Sequence, residues 1–166
     1  HRYWPQNENC QNLNIWTKTL EEGAKAPVIV WLHGGGYFAG SSIEQVSYDG
    51  FNMCKNGDVV VVSINHRLNI LGYLDLSPFG GHADMVAALQ WVHDNIHLFG
   101  GDPENVTIFG QSGGGMKVAD LMQIEAADGL FHRAMIMSGV GSASLMPSCT
   151  GNGCAIVTAL LKELGI

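Results

Sequence analysis

The clearest chemistry in this chain is carried by five residues, Gly110-Gln111-Ser112-Gly113-Gly114. The apolar run Val106-Thr107-Ile108-Phe109 leads directly into them, and a helical pattern leads out. A strand that turns sharply into a helix presents a serine with its hydroxyl exposed, the G-x-S-x-G nucleophile elbow. Such a turn leaves no room for side chains at Gly110 and Gly114, and it holds the serine in a strained conformation. A second cluster, His33-Gly34-Gly35-Gly36, follows the apolar run Pro27-Val28-Ile29-Val30-Trp31-Leu32. Acyl transfer passes through a tetrahedral oxyanion, and backbone N–H groups aimed at that oxygen lower the barrier. Glycines let the backbone come that close to a substrate. A phosphate-binding loop is the competing reading, but neither G-x-x-x-x-G-K-[ST] nor G-x-G-x-x-G is present.

Both motifs need a scaffold that brings two chain turns together. Short unbroken apolar runs at residues 27–32, 59–64, 106–109 and 134–137 read as strands buried on both faces, which implies a parallel sheet. The alternation in Leu13-Asn14-Ile15-Trp16-Thr17 adds a half-buried strand. Helical spacing covers residues 84–99, with Met85, Val86, Leu89, Val92, Ile96 and Phe99 on one side and Gly100-Gly101 as the stop. It recurs over 114–124 and 155–164. Strands alternating with helices predict βαβ units, and both glycine motifs then fall on the carboxyl side of the sheet, where α/β proteins place their sites.

Composition narrows the function. The chain has 166 residues, the length of one domain. Its net charge of −7 makes it a poor ligand for nucleic acid or an anionic membrane. The longest apolar run, 28–32, is far below the roughly 18 residues needed to span a bilayer. His1-Arg2-Tyr3-Trp4-Pro5 holds no apolar leader segment. Cys10, Cys54, Cys149 and Cys154 fit no zinc pattern, and Cys149 and Cys154 either close a small loop or stay as thiols. His93 and His97 stand at i, i+4, but Asp94 replaces the glutamate of H-E-x-x-H and no third ligand is evident, so they read as helix-end side chains. His33 reads as a holder of the glycine loop, Arg67 as an internal ion-pair partner, and Met116, Met122, Met135 and Met137 as core filler. The sequon Asn105-Val106-Thr107 enters a predicted strand, which argues against glycosylation.

Longer stretches resemble a known family. Glu8-Asn9-Cys10-Gln11-Asn12-Leu13-Asn14-Ile15 is similar to the E-D-C-L-Y-L-N-V signature of type-B carboxylesterases and cholinesterases. The run 99–114, Phe-Gly-Gly-Asp-Pro-Glu-Asn-Val-Thr-Ile-Phe-Gly-Gln-Ser-Gly-Gly, matches that family's serine signature. Tyr48-Asp49-Gly50, Ala88-Leu89-Gln90-Trp91-Val92 and Gly129-Leu130-Phe131-His132-Arg133-Ala134 also resemble it. The likeness spans nearly the whole chain and is nearer to bacterial para-nitrobenzyl esterases than to animal cholinesterases. It implies an α/β-hydrolase fold, with a mostly parallel sheet and helices on both faces. It also implies a Ser–His–Glu/Asp triad that hydrolyses carboxylic esters without a cofactor. Ser112 would be the nucleophile, and the amides of Gly35, Gly36 and Gly113 would form the oxyanion hole. Gly113 stands where the family usually has alanine, and Gln111 where it usually has glutamate.

The same resemblance implies parts that these residues do not contain. The family's acid and histidine follow the serine, each on a loop beyond a later strand. Here Asp128 and His132 keep that order but lie four residues apart, and His132 falls in a segment that reads as structural. The expectation is that residues 1–166 form the N-terminal portion of one α/β-hydrolase catalytic domain. The partners implied are a small-molecule ester and the remainder of the polypeptide or a complementary chain, which supplies the triad acid and histidine. Family members also carry several more residues between Leu76 and Asp84, around Gly80-Gly81. The alternatives are an inactive cholinesterase-like domain that binds proteins, against which Ser112 speaks, and a truncated inactive fragment.

Overall fold

The computed structural model describes residues 6–73, 82–139 and 155–165. Five strands form one sheet: β1 (Asn12–Trp16), β2 (Ala26–Leu32), β3 (Val60–Asn65), β4 (Gly101–Gln111) and β5 (Arg133–Met137). Their order is β1-β3-β2-β4-β5. The pairs β3–β2, β2–β4 and β4–β5 are parallel, and β1 runs antiparallel to β3. The helices are α1 (Phe51–Asn56), α2 (Asn69–Tyr73), α3 (Ala83–Asn95), α4 (Gly113–Leu121) and α5 (Ala155–Leu164).

Alternation along each strand sorts the apolar residues onto two faces. Val30 of β2 lies beside Val62 of β3 and Ile108 of β4. These residues, with Val28, Leu32, Val60, Ile64 and Val106, meet Met85, Leu89 and Val92 of α3 and Val118 and Leu121 of α4 in one core. Each fully buried branched side chain there contributes about 1.5–3 kcal/mol. On the other face the Trp31 ring lies 4.9 Å from Tyr48 and 5.0 Å from Phe109, and Gly50 is pressed against Trp16 and Val61. The sheet is thus covered by α3 and α4 on one side and by the segment leading into α1 on the other.

The predicted strands and helices recur with shifted ends. The helix expected over 84–99 is α-helical to Asn95 and tightens into a 3-10 turn over Ile96–Phe99. Ile96 still points into the core, so its apolar spacing was legible while the change in hydrogen bonding was not. Gly100 ends the element at φ +73°, with its N–H on the His97 carbonyl. β4 is longer than the expected four residues because Gly101 also pairs, with Ala26, before residues 102–105 leave the ladder and Val106 rejoins it beside Val28. The helix expected over 114–124 starts at Gly113 and stops at Leu121. The short α1 and α2 have under two turns each, too few for a period to show.

Two expectations are corrected. Residues 134–137 were expected to be buried on both faces, yet Met135 is 54% and Ile136 42% exposed. β5 is an edge among the described residues, so it has a strand neighbour on one side only. Met122 and Met135 are not core filler, because Met122 sits at the exposed end of α4 and Met135 on that edge. Cys10 and Cys54 are free thiols, and Cys149, Cys154 and the Gly80-Gly81 region lie outside the described residues. No described helix is long and apolar enough to cross a membrane.

The link after β3 is tied to α3 by Arg67, the internal pairing expected of it. Its Nε and backbone N–H both donate to Asp84 Oδ2 at 2.9 Å, and its terminal nitrogen meets Oδ1 at 2.6 Å. Burial pushes the Asp84 carboxyl up, but hydrogen bonds from Arg67 and Gln11 outweigh it and hold it below the ordinary 3.8. A carboxylate whose pKa is lower folded than unfolded stabilises the fold above the unfolded value and loses that contribution as the pH falls. The Arg67 side chain is 41% exposed, which weakens the pair. Asp84→Asn should therefore cost about 1–2 kcal/mol at neutral pH. In urea unfolding of the complete protein, the gap should close below about pH 4. A gap that persists unchanged in acid would contradict the ion pair.

Candidate active site

Ser112 follows β4 and opens α4. Its φ of +56° and ψ of −123° lie outside the regions that suit a residue with a Cβ. The strain is held by neighbours on both sides. The Ser112 N–H donates to the Met137 carbonyl at 2.9 Å, and its carbonyl accepts from Met116 N at 3.1 Å. A Cβ on Gly110 would stand 2.4 Å from the Gly114 carbonyl carbon, and one on Gly114 would stand 2.1 Å from the Leu32 oxygen. Both positions must be glycine for the turn to close against the end of β2. Ser112 is exposed, and no described side chain hydrogen-bonds its hydroxyl.

The His33-Gly34-Gly35-Gly36 loop leaves β2 directly beside this turn. Gly35 has φ +90° and Gly36 φ +65°, conformations that glycine adopts at no steric cost. The peptide unit is planar and trans, so a fixed carbonyl fixes the next N–H on the opposite side. His33 Nδ1 donates to the Gly34 carbonyl at 2.8 Å, which orients the Gly35 N–H. The Gly35 carbonyl accepts from Phe38 N and Ala39 N at 3.3 and 3.2 Å, which orients the Gly36 N–H. The Gly35 and Gly36 amides therefore point away from their own turn, and neither donates to a described residue. Gly113 begins α4, where first-turn amides lack helical acceptors and the helix dipole favours negative charge.

The loop is fastened from below by a buried polar cluster. Tyr37 donates to Asp120 Oδ2 at 2.5 Å, and His82 Nε2 lies 2.9 Å from the same oxygen. The Tyr37 carbonyl accepts from Asn69 N of α2 at 2.7 Å. Lys117 of α4, fully buried, donates from Nζ to the His33 carbonyl at 3.0 Å. The His33 ring stacks on His66 at 5.1 Å, and His66 Nδ1 donates to the Arg67 carbonyl. Burial, then the charge of Lys117, pull the His33 pKa to about 4. The same causes, with His33 added, pull His66 to about 3. Both rings are neutral at pH 7, as stacked imidazoles and single Nδ1–H donors require. Burial alone brings Lys117 down to about 7. Burial and the Asp120 contact hold the Tyr37 hydroxyl well above its usual range, so it stays a donor.

His33 thus holds the loop, as its position suggested. His132 lies elsewhere. Its Nδ1 accepts from Val106 N at 3.2 Å, midway along β4 and six residues before Ser112, which at about 3.3 Å per residue is about 20 Å away. Asp128 follows the 3-10 turn Glu125–Ala127. His93 and His97 are separated by the change from α3 to a 3-10 turn, and His93 leans on Asp94. Sequence reasoning missed Lys117, Tyr37, Asp120 and His82 as one cluster. The signal for Lys117 was its place four residues before Leu121, on the apolar side of α4.

A mostly parallel sheet with a positive-φ serine between strand and helix, beside a glycine loop from the neighbouring strand, defines an α/β-hydrolase. The Carboxylesterase family profile matches residues 1–165, and the chain belongs to that family. It is 39% identical to the para-nitrobenzyl esterase of Bacillus subtilis over 97% of this chain and 33% of that protein. It is 45% identical to mouse carboxylesterase 3B over 87% of this chain and 26% of that one. Among solved structures it resembles an esterase from anaerobic Clostridium hathewayi that can hydrolyse aliphatic aromatic polyesters. That match has a TM-score of 0.87 and 62% identity, and it covers 100% of this chain and 35% of the other. The chain thus spans about a quarter to a third of the length of these proteins.

The family's usual alanine does not fit at position 113 in this structure. A Cβ there would stand 2.3 Å from Gly36 N and 2.4 Å from Gly36 Cα, so the loop sits closer to the elbow than alanine allows. Gly113→Ala should therefore cost about 1–3 kcal/mol by overpacking, despite alanine's better helix propensity. Chemical denaturation of the complete protein measures it. Equal or greater stability would mean that the glycine loop gives way freely.

Proposed function

We propose that the protein carrying this chain is a serine carboxylesterase. Ser112 attacks the carbonyl carbon of a carboxylic ester and the alcohol leaves. Water then hydrolyses the acyl-enzyme, releasing the acid and restoring the hydroxyl. The amides of Gly35, Gly36 and Gly113 receive the negative charge that develops on the carbonyl oxygen. The histidine that takes the Ser112 proton, and the acid that orients it, come from residues outside these 166. No cofactor takes part.

One observation carries the reading. The exposed serine, held at φ +56°, stands at the start of a helix and beside two glycine amides whose own carbonyls are turned away and occupied. That arrangement has a use when charge forms on an oxygen bonded to the serine-linked carbon. The external histidine is supported by what surrounds the serine. His33 is buried and its Nδ1–H is committed to Gly34, while His132 is held at Val106, midway along β4 and six residues before Ser112. The carboxylesterase relatives support ester hydrolysis as the reaction class. The polyester-hydrolysing relative makes aromatic and aliphatic diesters sensible first substrates.

The test is hydrolysis of a para-nitrophenyl ester by the complete protein and by Ser112→Ala. The substitution should lower kcat by at least about 10³-fold, with stability preserved because the methyl side chain fits the same turn. Undiminished turnover in Ser112→Ala would overturn the assignment.

A further inference from the structure

We propose that Lys117 is a positioning residue of the oxyanion loop, whose Nζ donates to the His33 carbonyl and so keeps the Gly35 and Gly36 amides aimed at the reacting oxygen. This inference rests on the ester-hydrolase reading. The geometry is a chain of three held carbonyls. Lys117 Nζ holds the His33 oxygen at 3.0 Å. The imidazole of the same residue holds the Gly34 oxygen at 2.8 Å. Two amides hold the Gly35 oxygen. Because each peptide plane is rigid, fixing the first of these carbonyls fixes the residue that carries the imidazole, and through it the next amide. Gly40 closes the space behind that ring, since a Cβ there would stand 2.5 Å from His33 Nδ1.

The lysine is costly where it stands. Its side chain is fully buried and makes one hydrogen bond among the described residues. A buried ammonium with so few partners destabilises a fold relative to an apolar side chain of similar volume. A residue placed only for stability would not be a lysine here. Lys117 also stands on the helix that Ser112 opens, so one rigid element carries the nucleophile and the tether of the loop opposite it.

The inference predicts that activity and stability move in opposite directions. Lys117→Met keeps the length and removes the donor. In the complete protein it should unfold at the same or a higher temperature, yet lose about tenfold to a hundredfold in kcat with KM within twofold. Affinity for a trifluoromethyl ketone, which forms an oxyanion on the serine, should fall by the same factor as kcat/KM. Lys117→Gln keeps a donor on a shorter stem, and its kcat should lie between the two. If Lys117→Met fails to fold, Lys117→Gln decides alone: a kcat lowered about threefold or more with unchanged KM supports the tether, and a smaller change overturns it. Wild-type kcat in a folded Lys117→Met, or a loss of kcat that only tracks lost stability, overturns the proposal and leaves the esterase reading intact. A wild-type protein that hydrolyses no ester overturns both.

Discussion

The structure depends on backbone touching backbone where β2 and β4 end. Gly114 lies against the Leu32 carbonyl, Gly110 lies against Gly114, and Gly113 lies against Gly36. No side chain larger than hydrogen fits any of these places. The approach is possible only because β2 and β4 are adjacent and parallel, so that both chains leave the sheet on the same side. It brings an exposed serine and two outward amides to one spot without any side-chain contact between them. The valines and isoleucines of β2, β3 and β4, packed on α3 and α4, keep the two strand ends in register.

Beneath that contact the protein places polar groups where a core is ordinarily apolar. Lys117, His33, His66, Tyr37 and Asp120 are all buried or nearly so, and each makes a hydrogen bond to the loop or its support. The buried imidazoles are held neutral, and the buried phenol is held protonated. His33, His66 and Tyr37 therefore act as fixed donors at neutral pH, with Asp120 accepting from Tyr37. Buried polar networks of this kind specify one backbone arrangement at a cost in stability. The loop they specify is the one that faces Ser112.

Much of the fold was legible because its signals are local and strong. The runs at 28–32 and 60–64, rich in β-branched residues, read as strands inside a sheet, and G-Q-S-G-G after such a run reads as a sharp turn into a helix. The resemblance of the run 99–114 added the family. What was not legible depends on distant partners. No local pattern announces that Lys117 finds the His33 carbonyl 84 residues away, or that Tyr37 finds Asp120 83 residues away. The exposure of Met135 was hidden for a similar reason, since an apolar strand reads the same whether or not another strand lies beyond it. The tight 3-10 turn at Ile96–Phe99 kept the apolar spacing of a helix and so concealed its change of pitch.

If Ser112 is the nucleophile proposed above, it is activated in the complete protein. The direct measurement is to treat the complete protein with a fluorophosphonate, digest it and locate the adduct by mass spectrometry. One adduct is expected, on the peptide that carries Ser112, and it is lost in Ser112→Ala. An adduct on another serine with Ser112 unmodified, in a sample that hydrolyses esters, would contradict that assignment.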